Sequence, residues 1–200
     1  MANEMKIYLA SGSPRRKELL EAADIPFSRI HIDVEEIYPK GLPADEVAEY
    51  LAKLKAEAAL AKVDTGLVIT ADTVVIRDGQ ILEKPGDREH AFEMIRNLAD
   101  GVHEVITGVC LYTRQIRASF STVTKVWLMP MSDAEIFYYI DNYHPFDKAG
   151  AYGIQEWIGW VKINRIEGSF ANVMGLPVSE VYQKLIEKFG YQPGGIGTES

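Results

Sequence analysis

The sequence predicts an α/β fold in which one twisted mixed sheet, with parallel and antiparallel strand pairs, is flanked by helices. Predicted strands and helices intermingle along the chain. A long hairpin over residues 103–113 and 119–128 is rich in Val, Ile, Thr and aromatic residues, which suit a sheet. The 200 residues, 47% hydrophobic and 25% charged, fit a single domain with a sizeable core. We predict that domain over residues 1–190 and a flexible tail over residues 191–200.

The first helix is predicted from its start signals. The apolar run 7–10 is typical of a buried strand, and a proline after Ser13 predicts a capped helix over residues 14–23. Arg15 and Arg16 lie in its first turn, where the helix dipole disfavours cations. Guanidinium groups beside free backbone N–H donors suit an anion, usually phosphate. An ordinary capped helix with two solvated arginines is the alternative.

The later elements follow from caps, turns and periodicity. An apolar stripe at helical spacing, formed by Val47, Leu51, Leu54, Ala58 and Ala61, predicts the second helix. In chain order we predict a strand over 27–32, a helix over 44–62, a strand over 67–70 with a second apolar piece over 74–76, a hairpin turn at Asp78-Gly79, a return segment over 82–85, a helix over 88–98, the long hairpin, a helix from the Ser132 capping box to Asn142, and a last helix from Pro177 to Gly190.

Asp72 is the sharpest candidate for chemistry. It follows the predicted strand 67–70, and ligand sites of open α/β sheets lie beyond the carboxyl ends of strands. A turn-forming aspartate is the alternative. Glu35 and Glu36 follow the predicted strand 27–32 in the same way, and only one of two adjacent side chains can face a shared site. Two carboxylates from separate loops could hold Mg²⁺, although a solvated acidic loop is the more common role of such a glutamate pair.

Lysines and a glycine-rich segment offer further contacts. Lys84, together with Lys53 or Lys55, could place positive charge against phosphates, although most such lysines are simply exposed. Small residues in the segment 147–155 permit close backbone approach to a ligand, and Gln155 at its end could recognise a base edge. A plain glycine-rich connection is the alternative for this segment.

Composition and missing motifs exclude several classes of protein. A net charge of −8 argues against a protein that coats nucleic acid. The single cysteine, Cys110, rules out a disulfide framework or a thiolate zinc site within one chain. The sequence contains no phosphate-binding P-loop motif, no H-E-x-x-H motif and no run of 18 apolar residues. Because the N-terminus lacks a signal-peptide core, we expect a cytoplasmic protein without a membrane partner.

Taken together, the motifs resemble the Maf family of nucleoside triphosphate pyrophosphatases over residues 7–189. The matching stretches are LASGSPRR (9–16), the Glu35-Glu36 pair, LAKLKAEAA (51–59), ITADTVV (69–75), LEKP (82–85), HEVITGV (103–109), DKAGAYGIQ (147–155) and GLPV (175–178). The resemblance implies a Maf/ITPase-like fold with a cleft between two lobes. It also implies hydrolysis of a nucleoside triphosphate to monophosphate and pyrophosphate, with Mg²⁺ or Mn²⁺. Family members clear surplus or non-standard nucleotides, and some are linked to septum formation.

The same resemblance implies roles for individual residues. Asp72 would be the proton acceptor, Glu36 and Asp72 would hold the metal, and Lys84 would add a catalytic charge. The family's three specificity positions are Arg15, Thr73 and Gln155 here, which resembles the dTTP/UTP branch rather than the 7-methyl-GTP branch. The implied substrate contacts are Ser11, Ser13, Arg15, Arg16, Lys55, Thr73, Lys148 and Gln155. A homodimer is suggested by the resemblance alone.

Two positions depart from the family pattern, and two other functions stay open. Asp24 and Glu156 stand where glycine is expected, so we expect a changed turn after the first helix and an altered base-recognition loop. A nucleotidyltransferase would use similar residues but would need a second, acceptor substrate. A non-enzymatic nucleotide-binding regulator of septum formation would bind nucleotide without turning it over.

Overall fold

The computed structural model describes residues 5–193, so the predicted tail lies outside the described residues from residue 194 onward. In chain order the elements are β1 (Ile7–Leu9), α1 (Pro14–Ala22), β2 (Ser28–Arg29), α2 (Ala44–Leu60), β3 (Leu67–Arg77), β4 (Gln80–Leu82), α3 (Arg88–Leu98), β5 (Gly101–Tyr112), β6 (Arg117–Leu128), α4 (Asp133–Tyr143), 3₁₀ turns at Pro145–Asp147 and Ala149–Ala151, α5 (Trp157–Lys162), β7 (Ile163–Glu167), α6 (Phe170–Met174) and α7 (Val178–Phe189).

One mixed sheet organises these elements, which confirms the predicted fold class. Its strand order is β2-β1-β3-β5-β6-β7, and β4 pairs with β3 beside this path. β1 pairs in parallel with β2 and β3, whereas every other strand pair is antiparallel. Helices pack against both faces, because α2 contacts β3 and β5 on one side while α6 and α7 contact β5 on the other.

The edge of β3 has a gap that positions the site. β1 pairs with Leu67–Ile69 at the start of β3, and β4 pairs with residues 75–77 at its end. Between them, residues 70–74 of β3 have no strand partner on that side within the described chain. Side chains from both faces of β3 can therefore reach one space beyond the end of β1.

The predicted break between the two apolar pieces of β3 is wrong. β3 is a single strand of 11 residues, and Asp72 lies in its middle, opposite Gly108 of β5. It is therefore neither a turn residue nor a residue after the strand end. The strand continues because the apolar residues before and after Asp72 are buried and pair with the long strand β5.

Small residues allow α2 to lie close against the sheet. A Cβ added to Gly108 would meet the backbone of Ala48 and Glu49 at about 2.4 Å, so only glycine fits there. The predicted stripe was partly wrong, because Leu54 and Ala58 are only partly buried and Ala61 is exposed. The buried residues of α2 are Val47, Ala48, Leu51, Ala52, Ala56, Ala59 and Leu60. Lys55 lies beside this buried face.

Local signals predicted the helix ends well. The Ser13, Asp87 and Ser132 side chains cap α1, α3 and α4 as expected. The departure at Asp24 is accommodated, because this residue adopts a left-handed backbone with a φ of 51° where glycine is usual. The strand predicted over 27–32 is wrong in length, since only Ser28–Arg29 pairs with β1.

Two further observations bear on the excluded classes. Burial raises the pKa of the Cys110 thiol to about 12, which agrees with an inert core residue. Among the described residues, no helix has the length and apolar character needed to cross a membrane.

His103 provides a pH-sensitive element of the core. It is 2% exposed, its Nε2 lies 2.7 Å from the Tyr152 hydroxyl, and its Nδ1 is buried with no hydrogen-bond partner among residues 5–193. Burial, with a smaller effect of the Arg77 charge, lowers the pKa of His103 from 6.5 to about 4. The unfolded chain therefore binds the proton at higher pH than the folded chain does.

We expect the free energy of unfolding to fall by about 3 kcal/mol as the pH drops from 7 to 4, because only the unfolded state gains this proton. Urea unfolding at a series of pH values measures the effect. His103→Asn should remove that part of the pH dependence, whereas a change of the exposed His31 to asparagine should keep it. An unchanged slope in His103→Asn would show that His103 does not cause it.

Candidate active site

A cavity of about 690 Å³ opens at the gap in the edge of β3. Its walls come from the start of α1, the loop before α2, the middle of α2 and β3, the segment after β4, the 3₁₀ turns and the end of α6. The eleven predicted site residues all line it, namely Ser11, Ser13, Arg15, Arg16, Glu36, Lys55, Asp72, Thr73, Lys84, Lys148 and Gln155. Parts of the chain that are far apart in sequence therefore meet in one space.

A lysine held between two carboxylates forms the acidic wall. The Lys55 ammonium lies 2.5 Å from Asp72 Oδ1 and 2.9 Å from Glu36 Oε1. The side chains of Lys55 and Asp72 are only 12% and 11% exposed. Burial opposes ionisation of Glu36, but the hydrogen bond and charge of Lys55, with Lys84 and Arg16, outweigh it and lower the pKa of Glu36. Glu35 does not line the cavity, in agreement with the prediction that only one of the pair faces it.

The residues alone leave Lys53 and Lys55 as alternatives and the resemblance implies Lys55, which is the one of the two that lines the cavity. Lys53 lies on the outer side of α2 and pairs with Glu49 at 2.6 Å. Two residues later, a turn of about 200° along the helix brings Lys55 to the cavity side. The small residues of α2 that pack against the sheet determine this orientation.

Arg16 connects three parts of the opposite wall. Its guanidinium donates to Ser11 Oγ at 3.2 Å, to Thr73 Oγ1 at 3.1 Å and to the Gly175 carbonyl at 2.8 Å. Burial lowers the pKa of Arg16, and this effect outweighs the nearby charge of Asp72, which acts in the opposite direction. The bond to Gly175 was not predicted from the sequence, because only the folded chain brings the end of α6 to the start of α1.

The hydroxyl of Ser11 is oriented as a donor. Its oxygen accepts hydrogen bonds from the Ser13 backbone N–H and from Arg16 Nη1, both at 3.2 Å. A hydroxyl oxygen has two lone pairs and one proton, so the Ser11 proton is left for another acceptor. Ser13 itself caps α1, with its Oγ 3.5 Å from the Arg16 backbone nitrogen.

A chain of alternating charges runs along the third wall. Arg15 contacts Asp147 at 2.8 Å, Asp147 contacts Lys148 at 2.8 Å, and Lys148 contacts Glu156 at 3.0 Å. Partial burial raises the pKa of Asp147, but the hydrogen bonds from Lys148 and Arg15 outweigh it and lower that pKa to about 2. Lys148 is almost fully buried.

Glu156, the second departure from the family pattern, does not line the cavity. Its carboxylate accepts a hydrogen bond from the Tyr139 hydroxyl and pairs with Lys148, and the Tyr139 oxygen accepts from the Gly153 N–H at 2.9 Å. The negative charge of Glu156 is therefore compensated, and its side chain braces the loop before Gln155 from outside.

The donor set fits a hard divalent cation that completes its coordination with substrate. Among residues 5–193 there is no group of three or more His, Cys, Asp or Glu side chains placed to hold a metal. Glu36 and Asp72 nevertheless converge on one ammonium nitrogen, and each uses a single carboxylate oxygen for that contact. Mg²⁺ is commonly held by one or two carboxylates plus phosphate oxygens and water.

Comparison with known proteins shows which proteins this chain resembles in sequence and in fold. The family model described as "Maf-like protein" matches residues 6–188. A dTTP/UTP pyrophosphatase of Porphyromonas gingivalis is 53% identical over 184 residues, which cover 90% of this chain and 92% of that protein. The Cytophaga hutchinsonii protein of the same name is 51% identical over 184 residues, covering 92% and 84%. The crystal structure of protein VC0702 from Vibrio cholerae shares the fold, with a TM-score of 0.50, 14% identity and coverage of 94% and 99%.

Proposed function

The chain belongs to the Maf family, and on that premise we propose that it hydrolyses dTTP, UTP and related pyrimidine triphosphates to the monophosphate and pyrophosphate. The observation that carries the proposal is the meeting of Asp72 and Glu36 with the cationic groups of α1 and α2 in one cavity. Turnover would clear surplus or modified nucleotides from the pool.

Asp72 is the proton acceptor in this proposal. Its carboxylate lies in the middle of a buried strand and lines the cavity, where it would take a proton from the attacking water. Lys55 orients this carboxylate through the 2.5 Å contact to Oδ1. Glu36 and Asp72 would hold Mg²⁺ or Mn²⁺, and a bound cation would supply charge neutralisation at the phosphate oxygens.

The cationic groups must bring a polyanion to a protein with a net charge of −8. Arg15, Arg16, Lys55, Lys84 and Lys148 line the cavity and would share this task. One cation about 4 Å from a phosphate oxygen contributes roughly 4 kcal/mol at an effective dielectric constant near 20. The Ser11 oxygen accepts two hydrogen bonds, so the Ser11 hydroxyl would donate its own proton to a phosphate oxygen.

Gln155 would contact the base. Its side-chain oxygen is buried and has no hydrogen-bond partner within the described chain, although its residue lines the cavity. A buried amide oxygen without a partner is costly unless a ligand donates a hydrogen bond to it.

We expect Gln155→Ala to change the relative kcat/KM among UTP, CTP and GTP by about tenfold, because one buried hydrogen bond to the base is lost. Pyrophosphate release from each triphosphate measures this. Gln115→Ala in the β5–β6 turn is the control, and it should leave the ratios unchanged. Equal ratios in wild type and Gln155→Ala would exclude a base contact at this position.

A panel of triphosphates with Mg²⁺ or Mn²⁺ tests the proposal against its alternatives. We expect pyrophosphate to be released from dTTP or UTP alone, and chelation of the metal to stop it. A nucleotidyltransferase would release pyrophosphate only when an acceptor is added. A non-enzymatic regulator of septum formation would bind the nucleotide and return it unchanged.

A further inference from the structure

The hydroxyl of Thr73 is joined to a second threonine that lies outside the cavity. Thr73 and Thr107 are directly opposite each other in the β3–β5 pair, and their Oγ1 atoms are 3.0 Å apart. Thr107 is fully buried, and its Oγ1 lies 3.1 Å from the backbone carbonyl oxygen of Asn172 in α6. The Thr73 oxygen also lies 3.1 Å from Arg16 Nη2.

The chemistry of these partners determines the direction of every hydrogen bond. A carbonyl oxygen only accepts, so Thr107 must donate its proton to Asn172. The Thr107 oxygen then accepts the proton of Thr73. A guanidinium only donates, so Arg16 fills one lone pair of the Thr73 oxygen. Thr73 is left with one lone pair and no proton for a ligand.

We propose that Thr107 is a positioning residue that makes the Thr73 hydroxyl an obligatory acceptor, which selects ligands with an N–H donor at that point. The inference rests on the proposed function, because it assumes that the ligand is a pyrimidine nucleotide. Uracil and thymine carry an imide N–H at N3, whereas cytosine has an unprotonated N3 with a lone pair. With cytosine, the N3 lone pair would face the lone pair of the Thr73 oxygen, and no hydrogen bond could form.

The Ser11 hydroxyl has the opposite hydrogen-bonding role from the Thr73 hydroxyl, which supports separate phosphate and base regions in the cavity. Both hydroxyls are bonded to Arg16, but Ser11 keeps its proton for the ligand while Thr73 keeps only a lone pair. A phosphate oxygen suits Ser11 and is repelled by Thr73. A ribose hydroxyl could also donate to Thr73, but every nucleotide carries one, so only the base contact discriminates between uracil and cytosine.

The neighbours of Thr107 keep other hydrogen-bond partners when its hydroxyl is removed, so a substitution at this position can be interpreted. The Asn172 carbonyl also accepts from the Gly175 N–H at 2.9 Å, so it keeps a partner when the Thr107 hydroxyl is removed. The Asn172 amide is held separately by the Val105 carbonyl at 3.0 Å and by Thr124 Oγ1 at 2.9 Å. Valine has nearly the shape of threonine, so Thr107→Val removes the acceptor with little change in side-chain volume, although the two buried hydrogen bonds of the hydroxyl are lost.

The experiment compares UTP and CTP in three variants and the wild type. Both kcat/KM and the dissociation constant, the latter with the divalent metal chelated, are measured for each nucleotide. In Thr107→Val the Thr73 proton is free to turn toward the ligand, so the preference for UTP over CTP should shrink by about tenfold, mainly through better use of CTP. Thr107→Ser keeps the hydroxyl and should restore the wild-type preference.

Thr70→Val is the matched control. Thr70 is an equally buried threonine of β3 that does not line the cavity and whose hydroxyl donates to the Ala52 carbonyl of α2, so its loss should leave the UTP/CTP ratio unchanged. An unchanged ratio in Thr107→Val, or the same loss of preference in Thr107→Ser, would overturn the inference. The inference would also fail if Thr107→Val changed the preference between dTTP and 3′-deoxythymidine triphosphate but left the preference between UTP and CTP unchanged. That result would assign the contact to the sugar hydroxyl.

The outcomes separate this inference from the proposed function. If wild type hydrolyses UTP while Thr107→Val keeps the full preference, the inference fails and the function stands. If wild type releases no pyrophosphate but the binding preference shrinks in Thr107→Val and returns in Thr107→Ser, the function fails and the inference stands.

Discussion

Asp72→Asn is expected to lower kcat by at least about a hundredfold, because the change removes both the proton acceptor and one carboxylate charge for the metal. The amide has nearly the same shape and can still bond to Lys55, so the strand should remain intact. Steady-state pyrophosphate release measures turnover, and thermal unfolding shows whether the fold is retained.

The control for this substitution is a second aspartate close by on the same hairpin. Asp78 is 88% exposed in the turn between β3 and β4 and does not line the cavity. Asparagine is tolerated in its left-handed backbone conformation. Asp78→Asn should retain wild-type turnover, and near-normal turnover in Asp72→Asn would refute the assignment of Asp72.

Lys55→Met is expected to lower kcat/KM by about a hundredfold, because it removes two charge-assisted hydrogen bonds and leaves two carboxylates without their shared cation. The carboxylates would then repel each other and the incoming triphosphate. Kinetics with dTTP or UTP over a pH series should also show a raised pKa for Glu36, because Lys55 lowers the pKa of this carboxylate in the wild type.

Lys53→Met provides the comparison, since it removes the same charge two residues away. Lys53 pairs with Glu49 on the outer side of α2, where a surface ion pair contributes little. Its kcat/KM should remain within about twofold of the wild-type value. Equal losses in both variants would indicate a general effect of charge rather than a specific role of Lys55.

Features defined by local interactions could be predicted from the sequence. The bounds of α3 match the prediction, because Asp87 caps its start and the apolar residues that follow have helical spacing. The predicted turn at Asp78-Gly79 is also confirmed. Both residues adopt the positive φ angles that such a hairpin requires. These signals lie within a few residues of the element that they determine.

Features defined by long-range packing could not be predicted in this way. A polar pair inside an apolar run resembles a strand end, and only the pairing of Asp72 and Thr73 with Gly108 and Thr107 makes it the middle of a strand. The orientation of α2 depends likewise on its close approach to β5. The short elements α5, β7 and α6 were not predicted, because each has six residues or fewer and too little periodicity.

The candidate site shows the same division. The resemblance brought together eleven residues that all line one cavity, whereas their roles stay predictions. Thr107 was visible only as one residue of a matched strand motif, and its bond to the Asn172 carbonyl depends on the packing of α6. An altered loop at Glu156 stays a prediction, whereas the partners of its carboxylate, Lys148 and Tyr139, are visible only in the folded chain.

The most direct test of the account is hydrolysis of dTTP or UTP in ¹⁸O-labelled water, followed by mass spectrometry of both products. Attack of water on the α-phosphorus, with Asp72 as proton acceptor, predicts one ¹⁸O atom in the nucleoside monophosphate and none in the pyrophosphate. Label in the pyrophosphate, or no cleavage unless an acceptor substrate is added, would contradict the account.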